Sequence, residues 1–158
     1  MSRLEAWTQH LANLLVGLSG LVYAWMRYFA RSDDPFAVAN HPQQPLVQHL
    51  HVLSAPLLVF AFGFLFQRHV LARLRSRAPR RPTGIALALT FFPMAASGYL
   101  IQTTSTDAWR SAWIAIHLAT SALWILGYLA HLAGRAGARR TEPVPEAAAH
   151  SAPHRVAG

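Results

Sequence analysis

Apolar residues gather into four long runs, about residues 11–29, 46–66, 84–101 and 113–132, with polar residues collected between them. A helix needs about 20 mostly apolar residues to cross roughly 30 Å of hydrocarbon, so each run reads as a membrane span. The third is the shortest, and Gln102 and Thr103 carry it toward the headgroups. A polar, Pro-bearing loop (31–45), an Arg-rich loop (68–82) and a short turn (103–107) join the runs. The first run is too long for a signal peptide and lacks a small-residue cleavage site before Arg31, so it reads as retained. The pattern predicts an all-α protein, a transmembrane four-helix bundle over residues 1–133. A disordered tail rich in Ala, Pro, Arg and Glu is expected over 134–158. No internal repeat stands out.

Composition agrees. Of 158 residues, 53% are hydrophobic and only 13% charged, against about 25% charged in soluble domains. That excludes a disordered chain and argues against a water-soluble one. The net charge of +8 would suit nucleic acid if it were spread over one face. It is not. Arg68, Arg73, Arg75, Arg77, Arg80 and Arg81 fall between spans two and three, and Arg135, Arg139 and Arg140 follow span four. With Arg3 they share one side of the membrane. On the other side Arg27, Arg31 and Arg110 are accompanied by Asp33, Asp34 and Asp107. The positive-inside rule then puts both termini and the Arg loop in the cytoplasm, with lipid rather than nucleic acid as the surrounding partner. Every basic residue is Arg, which with the Ala, Leu and Pro richness points to a GC-rich bacterial genome and an inner (cell) membrane location.

The chain has no Cys. Disulfides, iron–sulfur clusters, thiolate zinc sites and covalently attached c-type haem are therefore ruled out. No Ser/His/Asp set, paired carboxylates, Gly-rich phosphate loop or HExxH is present either, which leaves little for hydrolysis or phosphoryl transfer.

Nine His in so apolar a chain need a reason. A polar ring within hydrocarbon is costly and points to function. His51 and His69 lie near opposite ends of span two, and His117 and His131 near opposite ends of span four. At about 100° per residue the members of each pair share a helix face. Spans two and four run parallel in such a chain, so His51 can face His117 on the outer side and His69 can face His131 on the inner side. Two facing imidazole pairs are what two stacked, non-covalent, bis-His b-type haems require. The spacings differ by roughly one helical turn. Pro56 could bend span two, and His10 competes for the inner site with His69 or His131. His49 points about 200° away from His51 and is the weaker outer candidate. Gly17, Gly20 and the 95–98 stretch leave room for a flat porphyrin, and Gly63 and Gly127 are similar, although small residues also serve plain helix packing.

Gln48 to His51, Gln67 to His69, Ser97 to Tyr99, Ile116 with His117, and Leu129 to His131 together resemble the four-helix, di-haem b-type cytochromes of bacterial membranes. The resemblance covers spans two to four. It implies His51, His69, His117 and His131 as axial ligands of two haems. It also implies electron transfer between the quinone pool and a redox partner, with a quinone as a further ligand. Some relatives use a His at the start of span one, which corresponds to His10 here. Such a subunit is an electron carrier more than an enzyme, and a homodimer or a larger complex suits it.

Other features fit a membrane carrier. Trp7, Trp25, Trp109 and Trp113, with Tyr23, Tyr28 and Tyr99, cluster near span ends, where interfacial anchoring explains most of them. The Arg loop can meet anionic headgroups or haem propionates, as can Arg27, Arg31 and Arg110. Asp33, Asp34, Asn40 and Gln43 form a polar outer loop where a periplasmic redox protein could dock. His41, His150 and His154 fall in loop or tail and receive no role. The rival readings are a haem-free scaffold, a His-lined metal or proton conduit, and a protein holding a single haem at the outer pair.

Overall fold

In a computed structural model of the chain, residues 3–72 and 81–140 are described, and all of their regular structure is helical. Four long helices follow one another: α1 (Arg3–Tyr28), α2 (Gln44–Leu65), α3 (Arg81–Thr103) and α4 (Asp107–Arg140). Local chemistry marks their ends. Glu5 in the first turn of α1 and Arg27 in its last complement the helix dipole, and Asp107 does the same at the start of α4. A proline in the first turn opens α2, where no N–H is required. The loop before α2 is tied down by Asn40, whose side chain donates to the Arg27 carbonyl at 2.7 Å and whose backbone N–H reaches Gln44 at 3.1 Å.

Close backbone approach is concentrated in two hairpins, α1 with α2 and α3 with α4. Side chains bridge the hairpins. One cavity is lined by His10 from the start of α1, Leu65 from the end of α2, Gly84 from the start of α3 and His131 from the late part of α4. These ends therefore lie together, and the helices run up, down, up, down. The core lies between this cavity and the loop end. Phe62 of α2 stacks on Phe91 of α3 with ring centres 3.8 Å apart, and Trp124 of α4 packs against both at 5.9 and 5.4 Å. The Trp124 indole N–H donates to Asn13 Oδ1 of α1 at 2.8 Å, so all four helices meet in one layer.

Three helices, over Gln44–Leu65, Gly84–Thr103 and Asp107–Gly134, are long and apolar enough to cross a membrane. The expected fourth, α1, is 26 residues long and is not among these three. The reason is the placement of Gln9, Asn13 and Ser19. These turn inward, while Leu4, Leu11, Leu14, Leu18 and Leu21 are more than half exposed on its outer face.

Two expectations change. Helix α4 continues to Arg140, past residue 134 where a disordered tail was expected to begin, and residues 141–158 lie outside the described ones. Helix α2 does not run on as a regular α-helix to His69: Phe66–Val70 form a π-helical turn. A π turn spreads its hydrogen bonds over five residues, so the count of whole turns from His51 to His69 no longer holds. The Arg-rich segment 73–80 also lies outside the described residues.

Candidate functional site

The expected outer pair comes together. His51 of α2 and His117 of α4 face each other across the gap between the hairpins, with ring centres 6.2 Å apart and planes at 72°. Each ring is held from behind by the other helix of its own hairpin. His51 Nδ1 lies 3.1 Å from the Val16 carbonyl and 3.2 Å from Ser19 Oγ, both on α1. His117 Nδ1 lies 3.0 Å from the Met94 carbonyl and 3.3 Å from Ser97 Oγ, both on α3. A carbonyl can only accept, so Nδ1 is the protonated nitrogen in both rings. Each neutral imidazole then keeps its lone pair on Nε2, the form that binds a metal. The serines have their own acceptors: Ser19 donates to the Val16 carbonyl at 3.1 Å, and Ser97 to the Pro93 carbonyl at 2.6 Å.

The two halves repeat one device. A carbonyl, then a serine three residues later, then a glycine, occurs as Val16, Ser19 and Gly20 in α1 and as Met94, Ser97 and Gly98 in α3. The glycines are there because the rings leave no room. A Cβ on Gly20 would stand 2.8 Å from His51 Cε1, and one on Gly98 would stand 3.1 Å from His117 Cε1. A Cβ on Gly17 or Gly63 would meet none of the described atoms within 4 Å, so only Gly20 and Gly98 are pressed by the rings. Beyond the rings, Ser54 donates to the His51 carbonyl and Thr120 to the His117 carbonyl, a further match between α2 and α4. The sequence reading noticed the 95–98 stretch and Gly20 but missed the repeat. Its signal was the Ser-Gly pair recurring at 19–20 and 97–98, each facing a His on the following helix.

At the expected inner site, the described residues include His10 and His131. His69 falls in the π turn and its side chain lies outside the described residues. His131 lines a cavity of about 100 Å³ together with His10, Gln9 and Tyr128, so His10 and His131 are brought to one place. His10 Nδ1 is hydrogen-bonded to the Tyr128 hydroxyl. Gln9 is 6% exposed, and its Oε1 has no hydrogen-bond partner among the described residues. Sequence reasoning missed Gln9 and Tyr128, because neither residue type stands out until the helices are packed. His49 is exposed and apart from the pair, while His41 packs its ring against Trp25 near the loop. Trp7, Trp25 and Trp109 are more than half exposed on the outer surface.

The His51–His117 geometry fits an iron held between two imidazoles. First-row metals sit about 2.0–2.1 Å from imidazole nitrogen, which puts two opposed ring centres roughly 6.4 Å apart. Among the described residues no group of three or more His, Asp or Glu gathers as a metal site. Two imidazoles alone undersupply a bare ion, which takes four or more ligands. A porphyrin would supply further nitrogens, and the two rings meet where the two hairpins face each other. No protein-family model, curated protein or solved structure matches the chain.

Proposed function

We propose that the protein is a bacterial inner-membrane cytochrome b, an electron carrier with a non-covalent haem b held between His51 and His117. The facing pair of rings, each with Nδ1 turned back to a carbonyl, is the observation that carries this reading. When bound, the haem supplies a one-electron couple tuned by its axial ligands and burial. The chain's own part is to orient. Val16 and Met94 fix the tautomer, Ser19 and Ser97 brace the rings, and Gly20 and Gly98 allow the flanking helices to approach them. In this reading α1 is the fourth span, its polar residues inward and its leucines toward lipid. The Arg excess then orients both termini and the Arg loop to the cytoplasm, with the His51–His117 pair toward the outer side. A second, inner haem would take His131 with His69 or His10, of which His10 and His131 line one cavity.

Single substitution tests the ligands. His51→Ala or His117→Ala should abolish the bis-His absorption bands of the purified protein, while His41→Ala and His49→Ala should leave them intact. Retention of unchanged bands in His51→Ala would refute the assignment.

A further inference from the structure

Resting on the electron-carrier reading, we propose that Ser19 and Ser97 act through the axial rings to lower the midpoint potential of the haem between them. Each serine is a second acceptor for a ring Nδ1–H that already has a carbonyl.

Nδ1 of His51 has two neighbours on α1, the Val16 carbonyl at 3.1 Å and Ser19 Oγ at 3.2 Å. Nδ1 of His117 has two on α3, the Met94 carbonyl at 3.0 Å and Ser97 Oγ at 3.3 Å. Each hydroxyl commits its one proton to a carbonyl. Ser19 donates to Val16 at 3.1 Å; Ser97 donates to Pro93 at 2.6 Å, with Met94 further off at 3.0 Å. A lone pair of the serine oxygen therefore faces each ring, and the Nδ1–H is shared between two acceptors.

Burial alone does not call for this contact. A serine inside a helix satisfies its hydroxyl on a carbonyl three or four residues back, as both do here. Each ring N–H has a carbonyl acceptor without the serine. Small size alone would be met by alanine, which fills the two positions before Ser97. Yet the arrangement occurs twice, one residue before Gly20 and one before Gly98. Ser97 is 1% exposed, so solvent does not compete for its lone pairs.

What the second acceptor changes is the ring. It draws the Nδ1 proton outward and leaves more electron density on Nε2. A ring that gives more density favours the oxidised, more positive iron, and the couple moves down. One electron enters or leaves. The Nδ1 proton stays where it is, because a carbonyl and a committed hydroxyl offer it no base.

The two serines differ in weight. The Val16 carbonyl receives both Ser19 and His51, so removing Ser19 takes away one acceptor but frees the other for the ring. Ser97 has Pro93 as its shorter partner, so its removal gives Met94 less back. The larger effect belongs to Ser97. Ser54 and Thr120 are built-in controls, since their hydroxyls meet the carbonyls of His51 and His117 rather than the rings.

The test is a spectroelectrochemical titration of the full-length, haem-loaded protein in detergent. Where two components titrate, the one missing from His51→Ala is read. Ser97→Ala should shift the one-electron equilibrium toward the reduced state by about two- to fivefold, a rise of roughly 20–40 mV at about 59 mV per tenfold. Ser19→Ala should move it the same way by less. Ser19→Thr, which keeps the hydroxyl, should hold the wild-type potential. Ser54→Ala and Thr120→Ala should leave it unmoved even where they lower the melting temperature. Nitrogen NMR of the histidine rings in the haem-free, full-length protein gives a second readout. There the His117 Nδ1–H should shift in Ser97→Ala and stay in place in Thr120→Ala. An unchanged or lowered potential in Ser97→Ala with haem retained would overturn the proposal, as would an equal rise in Ser54→Ala or Thr120→Ala. So would unmoved ring nitrogens in Ser97→Ala, whether or not haem is taken up. Haem content separates the two claims. Wild-type protein that takes up no haem sinks the electron-carrier reading; full haem with an unmoved potential sinks this inference alone.

Discussion

His51 and His117 face each other from α2 and α4 with ring centres 6.2 Å apart, and neither is oriented by its own helix. His51 is anchored to α1 and His117 to α3, so the spacing of the pair depends on packing within both hairpins. The facing geometry of the two rings is thus a property of the whole bundle. Substitutions on α1 and α3, which contribute neither of these two histidines, should be felt at the pair.

Gly20 gives the sharpest case. Gly20→Ala places a methyl 2.8 Å from His51 Cε1, so the ring must move and haem retention should fall steeply. Gly98→Ala is milder, because its contact with His117 would be 3.1 Å. Gly17→Ala meets nothing within 4 Å. It should keep full haem and gain up to about 1 kcal/mol from better helix propensity. Haem per chain and thermal unfolding of the three variants check the order.

Ser97 is the most deeply buried side chain among the described residues, at 1% exposure. Ser97→Ala removes one hydrogen-bonding group but leaves the Met94 carbonyl in place, so a loss of about 1 kcal/mol with haem retained is expected. Ser97→Val adds bulk where there is none to spare and should cost about 1–3 kcal/mol and displace His117. Equal behaviour of the two variants in unfolding and in the visible spectrum would contradict this role.

Much of this was legible in the sequence, for identifiable reasons. The long apolar runs forecast the helices because hydrocarbon admits few alternatives. His117 and His131 share an inward face as counted, since α4 is an uninterrupted helix between them. The count of whole turns does not carry through to His69, because the π turn at Phe66–Val70 interrupts the α-helix and has no simple periodic signature. Helix α1 looked like the other spans by its leucines, yet its polar residues form the inner lining. The Gln9 and Tyr128 partners and the Ser-Gly device depend on which helices pack together, and a linear pattern does not encode that.

The aromatic layer should be the main source of stability. Trp124 Nε1–H has one partner, Asn13 Oδ1, at 2.8 Å. Asn13→Leu leaves that donor buried without an acceptor, at a cost of about 1–3 kcal/mol. Trp124→Ala removes the ring that packs on both Phe62 and Phe91 and should cost about 3–5 kcal/mol. Detergent-solubilised thermal unfolding measures both, and a smaller loss for Trp124→Ala than for Asn13→Leu would contradict the layer's role.

The central claim is that one haem b sits between His51 and His117. The most direct measurement is the reduced-minus-oxidised visible spectrum of the purified wild-type protein, with extracted haem quantified per chain. Low-spin, bis-His b-type bands and at least one haem per chain are expected. A purified, folded protein that shows no such bands after haem supplementation would contradict it.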